Sequence, residues 1–154
     1  MIESKITEKL VFLLTKNAYK VICVSQKVKE QFKSQNAVIV SNSIEVLATV
    51  YKTIKHKNNF IVATISSLNY IKGVEYFVKS YSFLENKNIT YHIYGEGPLK
   101  ALLDYNSDNI VFKGHASDVQ DILMKEIDIL VVPTIIQESF GMVILEAFRV
   151  VYLW

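Results

Sequence analysis

The chain reads as an α/β fold in which a parallel sheet is covered by helices on both faces. Three observations carry that reading. Four short runs, FIVATI (60–65), ITYHIY (89–94), NIVFKG (109–114) and IDILVVP (127–133), are almost continuously apolar, as strands buried on both sides are. A stretch with helical spacing lies between each run and the next, and strands alternating with helices imply parallel neighbours. With 154 residues and 51% apolar content, the chain can bury one sizeable core and does not require two full domains.

The elements follow in order. An amphipathic helix is expected over about residues 4–18, with Ile6, Leu10, Leu13 and Leu14 as its apolar stripe, packed beside a strand at 20–25. A second helix follows Ser25. Residues 1–45 read as one part of the molecule, and 46–59, ending in the polar KTIKHKNN (52–59), as a linker. The strand-rich part is expected over 60–154. Val74, Phe77, Val78 and Tyr81 mark its first helix, and Pro98 stands at a plausible first position of the next. Ser117 with Gln120 has the spacing of a capping box for the third. Pro133 ends the fourth strand, and Phe140, Val143, Ile144 and Ala147 recur at i, i+3, i+4 and i+7, a helix with one buried face.

Composition narrows the function classes. No run of eighteen apolar residues occurs, and Lys5, Glu8, Lys9 and Lys16 interrupt the first twenty positions, so neither a membrane span nor a signal peptide is read here. Cys23 is the only cysteine, which excludes a disulfide or a thiolate metal site within one chain and fits a reducing cytoplasm. The formal charge of +2 is uneven: residues 1–57 hold ten Lys against four Glu, and residues 58–154 hold seven Lys and Arg against eleven acids. The basic end suits either an anionic membrane surface or an ordinary solvated face. His56 and His92 have no carboxylate or cysteine at ligand spacing, so no metal is expected.

The candidate site centres on VVPTIIQESFGMVILEAF (131–148). Glu138 and Glu146, separated by seven residues, bracket a Phe140-Gly141-Met142 turn that opens a helix. Free amides at a helix start can hold a diphosphate, and glycine lets the backbone approach it. Each glutamate can accept two hydrogen bonds from vicinal hydroxyls, one pair on a sugar and one on a ribose. A capping residue and a solvated face would give the same pair. Lys72, followed by Gly73 just before a helix, is compact enough to reach a diphosphate as a point charge, or is one more surface lysine. Gly95-Glu96-Gly97-Pro98 begins like a dinucleotide-binding turn, but Lys100 stands where its third glycine belongs. Gly114 and His115 follow the third strand, and His115 reads equally as a ligand contact or a loop histidine.

Several of these stretches, in the same order, resemble the retaining glycosyltransferases of family four, the glycosyl transferases group 1 class with the GT-B fold. The stretch 131–148 resembles their E-x7-E signature, LNYIKGVEYFVKSY (68–81) their first crossover with its Lys-Gly pair, and YHIYGEGPLKALL (91–103) their strand, G-x-G-P turn and helix. NIVFKGHASDVQDIL (109–123) resembles the next strand and helix. VICVSQKVKEQF (21–32) and VIVSNSIE (38–45) resemble the end of the N-terminal domain and the crossing into the second. Where many relatives carry an arginine five positions before the lysine, this chain has Ser67.

The resemblance implies an incomplete GT-B C-terminal domain: a Rossmann-like donor domain at 60–154, with 1–45 as the tail of the acceptor-side domain. It implies transfer of a hexosyl unit, with retention, from a nucleotide diphosphate sugar to a glycan or lipid-linked acceptor. Glu138 would contact the donor sugar, Phe140, Gly141 and Met142 would offer amides, Lys72 would hold the diphosphate and Glu146 the ribose. Gly114 and His115 would lie at the base, Gly95 and Gly97 near the donor. Neither a metal cofactor nor a nucleic-acid partner is expected, and the localisation expected is cytoplasmic, with peripheral membrane contact open. A noncatalytic nucleotide-binding half and a sugar-nucleotide epimerase are the alternatives. The closing Phe148-Arg149-Val150-Val151-Tyr152-Leu153-Trp154 reads as a truncation that leaves strand 127–133 an exposed apolar edge open to self-association.

Overall fold

A computed structural model of the chain describes residues 10, 13–32, 36–44, 50–53, 58–84, 88–103, 107–136 and 140–153. Two compact units are present, Met1–Ser43 and Ile44–Trp154.

In the first unit, strand β1 (Val21–Cys23), helix α1 (Gln26–Phe32) and strand β2 (Ala37–Ile39) form a small parallel β-α-β motif with Val21 opposite Ala37. The Ser25 hydroxyl accepts from the Val28 amide at 3.3 Å, the capping bond that starts α1. Cys23 and Ala37 are buried between these elements. Of the expected apolar stripe, Ile6 lies outside the described residues; residues 10 and 13–15 are helical, but Leu10, Leu13 and Leu14 are exposed. Two three-residue strands and one short helix offer too little apolar surface to cover them.

The second unit contains the main sheet, in the order β6-β5-β4-β7, all parallel. Its strands are β4 (Phe60–Ile65), β5 (Ile89–Tyr94), β6 (Ile110–Gly114) and β7 (Ile129–Leu130). The first three match the apolar runs to within one residue. The fourth is shorter than its run. Asp128 and Val131 still donate to Ile61 and Ala63 across β4, but residues 131–133 then leave the ladder, and Pro133 has no amide to rejoin it. The stretch expected to be a linker holds a strand, β3 (Val50–Thr53), which pairs in parallel with β8 (Val150–Leu153). Val-Tyr-Lys-Thr and Val-Val-Tyr-Leu are rich in β-branched and aromatic residues, a preference that outweighs the polar composition around 52–59.

Helices cover both sheet faces. On one, helix α2 (Val74–Ser80) buries Val74, Phe77 and Val78 against Val62, Tyr91 and Ile93, each such side chain contributing about 1.5–3 kcal/mol. Tyr91 stacks on Phe77 with centroids 4.6 Å apart and meets the edge of Tyr81, whose hydroxyl accepts from Asn109 at 2.7 Å. On the other face, Leu123 of helix α3 (Val119–Lys125) and Ile127 pack with Ala63, Tyr94 and Val150. The cap of α3 is Asp118, which accepts from the Asp121 amide at 2.9 Å. A carboxylate one position later than Ser117 thus displaces the capping box expected there, since both residue types cap well. Helix α4 (Met142–Phe148) is only half buried: it holds no fully buried residue, although Ala147 touches the second cluster. It packs against α3 and the strand β8, and those two short elements do not cover a whole helix face. Among the described residues, no helix is long and apolar enough to cross a membrane.

Candidate functional site

The order β6-β5-β4-β7 places a topological switch between β4 and β7, where successive connections turn to opposite sides. Loops leaving the carboxyl ends of such a pair diverge and open a crevice that open α/β sheets use for ligands. Here the two loops are stitched together. After β4, the Asn69 carboxamide accepts from the Lys72 amide at 3.2 Å and caps a single helical turn, Tyr70–Lys72. Gly73 closes that turn at φ +65°, and a β-carbon there would lie 2.1 Å from the carbonyl oxygen of Pro133. The Ile135 amide donates to the Ile71 carbonyl at 3.1 Å. The turn that carries the half-buried Lys72 is therefore fixed on the segment that runs from β7 toward Glu138.

The Gly95–Pro98 loop completes this floor. A β-carbon on Gly95 would come within 1.8 Å of the Ser66 carbonyl oxygen, and one on Gly97 within 2.4 Å of the Leu68 carbonyl oxygen. Leu68, fully buried, donates to the Glu96 carbonyl at 2.9 Å and accepts from the Leu99 amide at 3.1 Å. Backbone-to-backbone packing thus accounts for both glycines, and Pro98 starts a short 3-10 turn, Pro98–Ala101. Gly114, at φ +76°, accepts from the Gly95 amide at 2.7 Å, and His115 beyond it is exposed.

A second feature is a cavity of about 400 Å³ lined by Ile44, Ser117, Asp118, Val119, Gln120, Glu146 and Arg149. That size lies within the range of small-molecule sites. Glu146 is half buried, and burial alone pushes its carboxyl above the usual range. Arg149 donates from Nη1 to Gln120 Oε1 at 2.7 Å, while its Nε is buried without a hydrogen-bond partner among the described residues.

The expected residues therefore fall into two groups. Lys72, Gly95 and Gly97 stand on the loops at the carboxyl ends of β4 and β5, Gly114 ends β6, and Glu146 stands in the cavity beside the start of α3. Gly141 precedes α4 at φ +75°, with Phe140 half buried and Met142 at the first helical position. Glu138 lies outside the described residues. Asp118, Gln120 and Arg149 were missed by the sequence reading. Arg149 follows Glu146 by three positions, hence on the same helix face, and that spacing was the available signal.

One further polar cluster sits away from the crevice. The Tyr94 hydroxyl donates to Glu126 at 2.7 Å, and Lys113 pairs with the same carboxylate at 3.3 Å, so Glu126 is held below the usual carboxylate range. His92 beside them is pushed down by burial and then by Lys113, with Glu126 pulling the other way. These bonds join β5, β6 and the end of α3. Among the described residues, no group of three or more His, Cys, Asp or Glu could hold a metal ion.

The sequence profile of the family described as Glycosyl transferases group 1 matches residues 59–150. No curated protein matches the chain in sequence. Among solved structures, Anabaena HepE in complex with UDP-glucose superposes with a TM-score of 0.77 at 18% identity, covering 97% of this chain and 49% of that one. S. aureus TarM, solved with UDP among its ligands, gives 0.72 at 23% identity over 95% of this chain and 32% of its own. The pneumococcal O-GlcNAc transferase GtfA, in complex with UDP and GlcNAc, gives 0.66 at 20% identity over 92% of this chain and 31% of its own. At these identities the likeness shows the fold, an α/β Rossmann-like arrangement shared with GT-B proteins. The chain spans 31% to 49% of the length of these structures.

Proposed function

Because this chain belongs to the glycosyl transferases group 1 family, we propose that residues 60–154 hold the donor of a glycosyltransferase, a nucleotide diphosphate sugar. The reaction is transfer of a hexosyl unit with retention to a glycan or lipid-linked acceptor, in the cytoplasm or at the membrane surface. Residues 1–45 then correspond to the end of an acceptor-side domain. The observation that carries the reading is the meeting of the Lys72 turn with the segment after β7 at the topological switch. UDP in the HepE, TarM and GtfA structures makes a uridine nucleotide the first donor to test.

Each role follows from the chemistry of the residue. Lys72 offers a compact positive charge to the diphosphate, and the amides after Gly141 add donors to phosphate or sugar. Glu146, an acceptor in a partly dry cavity, suits the two hydroxyls of a ribose. Glu138 is assigned to the donor sugar. Half-buried Gly114 and exposed His115 are assigned to the base. Catalysis in such a site rests on positioning and on stabilising the departing diphosphate, so basic side chains and amides take the place of a metal ion. Ser67, where many relatives carry an arginine, is bonded to Asn69 at 3.0 Å, so it supports the turn that presents Lys72 and supplies no charge.

Isothermal calorimetry of UDP against the full chain, with and without a chelator, tests this reading. Saturable binding that survives the chelator is expected. Binding that disappears with the chelator would overturn the metal-free assignment, and no binding of any nucleoside diphosphate would overturn the donor site.

A further inference from the structure

Glu146 and Arg149 have the spacing of an ion pair. They stand three positions apart at the end of helix α4, the Arg149 amide donates to the Glu146 carbonyl at 3.3 Å as in a continuing helical turn, and both residues line the same cavity. A glutamate and an arginine so placed are neighbours on one helix face and ordinarily pair. Here they do not. The one side-chain hydrogen bond of Arg149 among the described residues runs from Nη1 to Gln120 Oε1 at 2.7 Å, across the contact between α4 and α3. The Glu146 carboxyl has no hydrogen bond or ion pair among the described residues. Burial alone pushes it up, where an adjacent guanidinium would pull it down.

The other charges near this pair are engaged elsewhere. Asp118, the remaining carboxylate of the cavity wall, accepts from the Asp121 amide at 2.9 Å, and Asp121 pairs with Lys125 along α3. Strand β8, also packed on α4, has no charged residue. Gln120 is thus the group that decides where the guanidinium rests. A neutral amide oxygen can hold Arg149 without presenting a charge of its own to Glu146.

We propose that Gln120 is a positioning residue: by holding Arg149 on helix α3 it keeps the guanidinium off Glu146 and leaves that carboxylate open to the hydroxyls of a ligand. Availability to the ligand rests on the donor-binding reading above, whereas the separation of the two side chains does not. Were Arg149 released, its planar fork would occupy the carboxylate oxygens, and a diol would have to displace it.

Titration of isotopically labelled glutamate carboxyls by NMR, with the Glu146 signal assigned by its loss in Glu146→Gln, reads the position of Arg149 directly. In Gln120→Leu the Glu146 midpoint should fall by about one pH unit or more as Arg149 turns to it, and UDP affinity should fall by about fivefold or more. Gln120→Glu still offers Arg149 an oxygen and should keep the midpoint at or above its wild-type value. The double variant Gln120→Leu/Arg149→Met should restore that value. A midpoint unmoved in Gln120→Leu, or still low in the double variant, would overturn the positioning role. Arg149→Met alone carries the test if Gln120→Leu fails to fold: an unchanged Glu146 midpoint is expected, and a rise would show the guanidinium already on the carboxylate. A fallen midpoint with unchanged UDP affinity would overturn the service to the ligand. Because the titration needs no nucleotide, a chain that binds no UDP would overturn the donor reading and leave the placement of Arg149 to be decided by the midpoints.

Discussion

Two regions of the 44–154 unit differ in how they are held. The corner made by Gly73, Gly95 and Gly97 is fixed by main chain on main chain, with a β-carbon at any of the three falling 1.8–2.4 Å from a carbonyl oxygen. The Glu146–Arg149 cavity depends on side chains: Arg149 donates to Gln120 at 2.7 Å, its Nε is buried without a hydrogen-bond partner among the described residues, and burial pushes the Glu146 carboxyl above its usual range. On the donor-binding reading proposed above, the first region is a scaffold that would set the position of the diphosphate, and the second is a reader that would meet the rest of the nucleotide.

The largest effect expected is on the scaffold. Gly95→Ala and Gly73→Ala each force a methyl group into a carbonyl at a positive φ, and each should cost about 3 kcal/mol or more of unfolding free energy by urea titration. Losses under about 1 kcal/mol would show that these loops relax easily and that the corner is not rigid.

Glu146→Gln should act in the opposite way, sparing stability while weakening UDP binding by about 1–3 kcal/mol, the cost of a charged hydrogen bond. Its pH dependence has a definite sign. Burial raises the carboxyl in the folded chain, so the charged form is penalised at pH values above the raised pKa and the penalty is relieved as pH falls through it. A ribose diol needs the ionised form. UDP affinity should thus fall as pH drops through the raised Glu146 pKa, and this slope should vanish in Glu146→Gln. Calorimetry at several pH values checks it, and an unchanged slope in the variant would place the titrating group elsewhere.

Away from both regions, Tyr94→Phe removes the 2.7 Å bond to Glu126 and should cost about 1 kcal/mol. Glu126 is held below its ordinary value, so its contribution is present above the unfolded pKa and is lost as pH falls through the folded one. Denaturant midpoints should therefore depend less on pH below about 4.5 in the variant than in the wild type. The smallest effect belongs to Lys100→Met. Its pair with Glu96 at 3.0 Å is exposed on both sides, and its removal should change stability by less than about 0.5 kcal/mol.

The scaffold was more legible in the sequence than the reader. Strands 60–65 and 89–94, and the buried face of Val74, Phe77 and Val78, follow from periodicity because each element packs in the main core. The strand at 50–53 was hidden by its polar neighbours, since its partner at 150–153 lies a hundred residues away and no local pattern announces a long-range pair. The exposed Leu10, Leu13 and Leu14 show the converse: an amphipathic pattern states what a helix could bury and does not supply the surface to bury it on. In the candidate site, Lys72, Gly114 and Glu146 were legible from turn chemistry and spacing together with the family resemblance. Gln120 and Arg149 were not, because the contact between them joins two helices and is visible only in the folded chain.

The central claim, that the carboxyl ends of this sheet hold a nucleoside diphosphate, is tested most directly by titrating the isotopically labelled chain with UDP in chelator and following backbone amide resonances. The account predicts saturable shifts concentrated at Lys72 and Gly73, at Gly114–Gln120 and at Met142–Arg149, with little change in residues 13–43. Shifts absent from all three segments, or found mainly within residues 13–43, would contradict it.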